Sequence, residues 1–152
     1  MNGKRGIYDI LIFFMALVVS SAVIIPPSYY SSHGFLSPDS TNYLRLAKRI
    51  LSGHGFYVPA SSRGEVADVL FAVWPVGYPT LNAAFSWLFD ITTFLASKLL
   101  NAFLLSSAAF VLYKEYGRNG LVASGTLFTA GILHNYTFTW SEAPFLTALI
   151  FL

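Results

Sequence analysis

The sequence predicts an all-α fold: a polytopic bundle of transmembrane helices, with interfacial helices in a large first outer loop. Three observations predict it. Of 152 residues, 55% are hydrophobic and only 11% are charged, less than half the roughly 25% charge of a soluble domain. The apolar residues fall in blocks of membrane-spanning length, and mean hydropathy is +0.60. The charges collect between the blocks, so the composition excludes a disordered chain, a nucleic-acid-binding domain and an ordinary soluble enzyme. A net charge of +2 is too small to imply an acidic partner. With no cysteine there is no disulfide or thiol chemistry, and the redox compartment cannot be read from thiols.

The first block covers residues 7–25, with Asp9 near its start. At 1.5 Å per residue it reaches about 28 Å, close to the thickness of the hydrocarbon core. Lys4 and Arg5 precede it and predict a cytoplasmic N-terminus. The run ends in Val-Ile-Ile-Pro-Pro rather than at a small-residue cleavage site, so it reads as a retained anchor, not a signal peptide. A second span is predicted over 92–113 and a third over 121–138. The short basic turn holding Lys114 and Arg118 lies between them, on the cytoplasmic side. A fourth apolar run, 143–152, is too short to span, and the chain is expected to be the N-terminal piece of a longer protein.

Residues 26–91 form the large outer loop. Its Arg45, Lys48, Arg49 and Arg63 outnumber the cations of either inner segment, but a loop this long is largely exempt from the charge rule. Ser37-Pro38-Asp39-Ser40 marks a helix start, with Asp39 or Ser40 as cap, and residues 41–52 read as a helix. Its cations share one side, while Tyr43, Leu44, Leu46, Ala47, Ile50 and Leu51 cover the other, so it is expected to lie apolar face down at the membrane surface. Gly53-His54-Gly55 is a turn, and 58–73 reads as irregular. Residues 80–89 make a second short helix, and Trp74, Tyr78 and Trp87 suit an interfacial aromatic belt.

Several side chains carry candidate chemistry. Asp39, at a helix start near the membrane surface, is placed to act as a general base toward an acceptor hydroxyl; the alternative is a plain N-cap. Glu142 stands in a short outer turn between apolar runs, where a carboxylate is costly unless it is paired or functional; the alternative is a solvated turn residue. Arg45, Lys48 and Arg49 can hold a lipid phosphate or simply be drawn to anionic headgroups. Lys98, with Asn101 on its face, either snorkels to water or meets a phosphate. His33, His54 and His134 do not make a metal-ligand spacing, and no phosphate loop, nucleophile elbow or HExxH occurs. The sequon Asn135-Tyr136-Thr137 lies too close to the membrane to be glycosylated.

The order of these features resembles the N-terminal part of the GT-C glycosyltransferases, in particular the dolichyl-phosphate-mannose–protein mannosyltransferase-like group that includes the lipid A aminoarabinose transferases. The matching residues are Pro38-Asp39-Ser40, Tyr43, Ala47, Gly53-His54-Gly55-Phe56, Trp74-Pro75-Val76-Gly77-Tyr78-Pro79 with Leu81 and Ala84, Lys98-Leu99-Leu100-Asn101, Leu112-Tyr113, Tyr116-Gly117 and Trp140-Ser141-Glu142. Ser40 stands where mannosyltransferases of this group often carry a Glu after the Asp, which leaves the sugar open. The resemblance implies an enzyme of the bacterial inner membrane that transfers a sugar from a polyprenyl-phosphate donor to a lipid, glycan or protein acceptor on the non-cytoplasmic side. Asp39 would be catalytic, and Glu142, Lys98, Arg45, Lys48, Arg49, His54 and Tyr78 would contact substrate. No cofactor is expected, a divalent metal stays open, and nucleic acid is not a partner. The remainder of the polypeptide, or a partner membrane subunit, would complete the bundle. The alternative function is a small non-catalytic membrane subunit of a larger complex.

Overall fold

A computed structural model describes the backbone of residues 2–59 and 68–152, and side chains from Gly6 onward within them. The side chains of Lys4 and Arg5, together with Arg63 and Glu65, lie outside the described residues. The elements run α1 (Asn2–Tyr30), α2 (Pro38–Leu51), β1 (Tyr57–Pro59), β2 (Asp68–Leu70), α3 (Gly77–Phe89), α4 (Thr93–Ser124), a 3-10 turn (Gly125–Phe128), α5 (Ala130–Thr137) and α6 (Glu142–Ile150). The fold is therefore mostly helical, as expected. Among the described residues two helical stretches are long and apolar enough to cross a membrane, Gly6–Tyr30 and Thr93–Phe128.

α1 and α4 pack antiparallel. Asp9 pairs with Lys114 at 2.7 Å, Phe13 meets the edges of Phe103 and Phe110, and Tyr29 meets Phe94. The small residues Ala102, Ala108 and Ala109 of α4 are buried with Ile24 and Leu105, and lack of side-chain bulk lets the helices approach. Only 11% of the most apolar window of α1 is buried against the chain, compared with 56% for Thr93–Phe128. Ile7, Leu11, Phe14, Met15 and Val18 face outward, which suits hydrocarbon and not water.

Several boundaries differ from the sequence reading. α1 continues through Pro26 and Pro27 to Tyr30. Each proline removes one helical donor near the helix end, where few bonds remain to lose, and the Ser28 hydroxyl donates to the Ile24 carbonyl at 2.7 Å. The expected third span, 121–138, is not one helix. Hydroxyls of Ser124, Thr126 and Thr129 donate to carbonyls three residues back, competing with the helical ladder, and the chain tightens into the 3-10 turn before α5. Two long helices thus stand where three complete spans were expected, and α6 is short, as its run length requires.

The cap of α2 is Ser37, not Asp39 or Ser40: its backbone is extended, its hydroxyl receives the Ser40 N–H, and Pro38 takes the first helical position. The apolar face of α2 also goes elsewhere than expected. Tyr43, Leu46 and Ala47 are buried against α3 and α4 rather than laid on a membrane surface. The stretch 58–73 is not wholly irregular, since β1 and β2 pair antiparallel with Val58 opposite Val69. α3 starts three residues earlier than expected, at Gly77. Trp74 and Trp87 are exposed as a belt requires, but Tyr78 is buried.

The basic turn after the second span takes the form of a break at Gly117, whose φ of 59° and ψ of −131° suit glycine alone. The chain after it folds back so tightly that a Cβ on Gly120 would lie 1.8 Å from the Leu112 carbonyl oxygen. Gly117→Ala is expected to cost about 1–3 kcal/mol through backbone strain. Gly120→Ala should cost more, because a backbone group must move. Gly131→Ala, with open space at its Cβ, should be neutral or mildly stabilising. Thermal unfolding in detergent checks the order.

Candidate functional site

The site forms where the start of α2 meets the start of α6. Ser37 Oγ receives the Ser40 N–H at 3.1 Å and the Trp140 indole N–H at 2.7 Å, so one hydroxyl both caps α2 and docks the segment leading into α6. One turn along α2, the Tyr43 hydroxyl lies 3.0 Å from Ser141 Oγ and donates to it. The Tyr43 ring meets that of Tyr78 edge to face, with centroids 5.7 Å apart. The Tyr78 hydroxyl donates to Asn101 Oδ1 at 2.8 Å.

Behind this front row α4 holds the break between α5 and α6. Asn101 Nδ2 donates to the carbonyls of Tyr136 and Phe138, both at 2.7 Å. Lys98 is 0% exposed; its Nζ donates to the Thr137 carbonyl at 2.6 Å, approaches Thr139 Oγ1 at 3.4 Å, and sits 5.2 Å from the centre of the Phe94 ring. Ser97 Oγ and Thr139 Oγ1 lie 3.0 Å apart.

The two carboxylates of the sequence reading stand on the two helix starts that these bonds join. Asp39 occupies the first turn of α2 and Glu142 the first turn of α6; Asp39 is half-buried and Glu142 is exposed. Neither makes a side-chain hydrogen bond or ion pair among the described residues. Burial pushes the Tyr43 hydroxyl above its ordinary range; the bond to Ser141 opposes this, and the negative charges of Glu142 and then Asp39 add to it. Burial raises Tyr78 further, against the opposing bond to Asn101. Both phenols are therefore neutral donors at pH 7, and each already donates within the protein. Beside them a groove of about 470 Å³ runs between α3 and α6, walled by Pro75, Leu81, Pro144 and Phe145, with Glu142 and Ser141 as its polar edge.

The other expected contacts are spread out. Arg45 and Lys48 are exposed and unpaired among the described residues. They lie six and nine residues along α2 from Asp39, about 9 and 14 Å along the axis. Arg49 is engaged elsewhere, bonding the Asp68 carboxylate and donating to the Tyr57 carbonyl at 2.9 Å, so it ties α2 to the hairpin. His54 bonds Ser52 in the turn after α2, at the far end from Asp39. Tyr78 lines the groove with its ring, its hydroxyl turned to Asn101. Among the described residues no three His, Cys, Asp or Glu side chains gather as a metal group. Sequence reasoning missed Ser37, Ser141 and the indole of Trp140 as site-forming groups. Ser37-Pro38 carries a readable signal, a cap followed by proline at the first helical position; the other two depend on contacts 98 and 103 residues apart in sequence.

Comparison with protein-family models, with curated proteins and with solved structures finds no match to the chain. Fold and site define a helical protein with two helices of membrane-crossing length and a two-carboxylate site at one end of them.

Tyr78→Phe is expected to cost about 1–3 kcal/mol, because it leaves the buried Asn101 oxygen without a donor. Denaturant unfolding checks this against Tyr57→Phe, an exposed control that should change little.

Proposed function

We propose that the chain is the N-terminal part of a GT-C-like membrane glycosyltransferase of the bacterial inner membrane, with Asp39 as the general base. The observation that carries the reading is the docking of the start of α6 on the start of α2 through Tyr43–Ser141 and Trp140–Ser37, which brings the first turns holding Asp39 and Glu142 to one end of the molecule, with Glu142 on the edge of a groove. Because Ser37 caps α2, Asp39 is not consumed by capping; its structural part is that of a negative charge in the first helical turn.

In this reading the acceptor hydroxyl donates to the Asp39 carboxylate. Its oxygen bonds to the anomeric carbon of the sugar as the bond from that carbon to the phosphate oxygen breaks. The proton passes to Asp39, and the electron pair leaves with the polyprenyl phosphate. Glu142 accepts hydrogen bonds from sugar hydroxyls. Arg45 is the cation with the reach to meet the phosphate, since Lys48 is on the face of α2 opposite Asp39, Arg49 is bound to Asp68 and the Lys98 ammonium to the Thr137 carbonyl. The apolar walls of the groove suit the first prenyl units of the donor. The second reading, a non-catalytic membrane subunit, draws support from the apolar face that α1 leaves uncovered.

Asp39→Asn tests the first reading in the full-length protein. Loss of a general base lowers transfer by about 10²–10⁴. Loss of a charge in the first helical turn costs only about 0.3–1 kcal/mol of stability. A folded Asp39→Asn variant that transfers sugar from a polyprenyl-phosphate donor at the normal rate would return Asp39 to a bystander.

Sidedness has its own measurement, simplified by the absence of native cysteine. His54→Cys and Arg118→Cys are expected to react with an impermeant maleimide from opposite faces of the membrane, His54→Cys from the non-cytoplasmic one. Reaction of both from one face would defeat the topology.

A further inference from the structure

We propose that Lys98 and Asn101 are positioning residues: together they fix the α5–α6 break so that Trp140, Ser141 and Glu142 are held against the start of α2. The inference rests on the two-carboxylate site being the working end of the protein, but its geometry is independent of the chemistry assigned there.

α5 ends at Thr137 and α6 begins at Glu142, so residues 138–141 lie outside any helix. The last carbonyls of a helix have no partner within it. Here those of Tyr136, Thr137 and Phe138 are taken by two side chains of α4 one turn apart, Asn101 at 2.7 Å to the first and third and Lys98 at 2.6 Å to the second. Broken helices at membrane depth persist only where such groups are satisfied by protein, water or ions, and the negative end of a half-helix commonly faces a cation. The Lys98 ammonium is that cation, tethered to the chain. No carboxylate lies within ion-pair distance of it among the described residues, so its partners are carbonyl dipoles, the Thr139 hydroxyl and the Phe94 ring.

From this clamp the connection to the site is short. Thr139 is bonded by Ser97 and approached by Lys98; Trp140 follows, stacked on Phe138 at 4.4 Å and donating to Ser37; Ser141 receives Tyr43; Glu142 opens α6. Tyr78 completes the support by donating to the Asn101 oxygen, which orients the amide so that its Nδ2 faces the two carbonyls. Freeing those carbonyls releases the segment that carries the indole and the carboxylate, while α1 and the apolar middle of α4 keep their packing.

The test reads Trp140 directly. The other two tryptophans, Trp74 and Trp87, are exposed, and Trp74→Phe with Trp87→Phe leaves Trp140 as the single reporter in the full chain, in detergent or nanodiscs. In that background Lys98→Met and Asn101→Leu should each shift Trp140 emission to the red and remove its protection from acrylamide, with helicity by circular dichroism retained. Lys114→Met, which breaks the Asp9 pair at the other end, should leave Trp140 unmoved. Thr139→Val, a milder change to the same clamp, should give a smaller red shift and serves if the first two variants do not fold. Unmoved Trp140 emission in the folded clamp variants would overturn the proposal. So would an equal shift in Lys114→Met, which would mean that the whole bundle had loosened. Because the readout needs no turnover, a failed Asp39→Asn test and a failed Trp140 test are separate results.

Discussion

Three consecutive carbonyl oxygens, those of Tyr136, Thr137 and Phe138, leave the helical ladder where α5 ends, and the arrangement of the site depends on how they are satisfied. In water such groups would cost little. In an apolar surrounding each unpaired one costs on the order of kcal/mol. The chain answers with a lysine and an asparagine on successive turns of α4, both fully buried. A lone buried ammonium would be equally costly, so the two problems cancel: the carbonyl dipoles solvate the cation and the cation caps the half-helix. Removing either partner leaves the other exposed to the same penalty, the condition under which a polar contact specifies structure.

The polar ends of the molecule are far apart. Lys98 and Lys114 are sixteen residues apart on the unbroken part of α4, about 24 Å of rise, which is most of a hydrocarbon core. Between them, beyond Asn101 of the clamp, the buried residues are Leu100, Ala102, Leu105, Ser106, Ala108 and Ala109, and the Ser106 hydroxyl is returned to the Ala102 carbonyl. At one end stand the clamp and the helix starts that carry Asp39 and Glu142; at the other, the Asp9–Lys114 pair and the Gly117 reversal. This separation matches a helix pair that crosses an apolar layer and keeps its charges at the two edges.

Much of the helical content was legible. The period of α2 named its buried residues, Tyr43, Leu46 and Ala47, because amphipathicity reports which face avoids water. It does not report what covers that face, and α3 and α4 took the place assigned to a membrane surface. Hydropathy joined 121–138 into one span because Ser124, Thr126 and Thr129 are only mildly polar as residues; it is blind to their hydroxyls reaching back to the ladder. At the site, Asp39 and Glu142 stood out by charge in an apolar chain. Asp39 was read as a possible cap because the aspartate side chain suits that role, whereas Pro38 puts the cap at Ser37. Arg49 was grouped with Arg45 and Lys48 by helical face, and its pairing with Asp68 depends on a hairpin that the local pattern does not display. The meeting of Ser37 with Trp140 is a product of tertiary packing alone.

The balance of donors and acceptors at the site bears on what it can receive. Tyr43 and Tyr78 stay protonated, since burial opposes their charged forms, and their protons are committed to Ser141 and Asn101. The indole proton of Trp140 is committed to Ser37. The groups left over at the meeting of α2 and α6 are the carboxylate oxygens of Asp39 and Glu142, which only accept, and the single hydroxyl proton of Ser141, whose oxygen already accepts from Tyr43. A ligand that brings its own donors fits this surplus, and a polyol brings several on one face. A free phosphate set directly between the carboxylates would meet two like charges. The cations that would favour it, Arg45 and Lys48, lie farther along α2 and on its outward side, away from the face of Tyr43, Leu46 and Ala47 that packs on the protein.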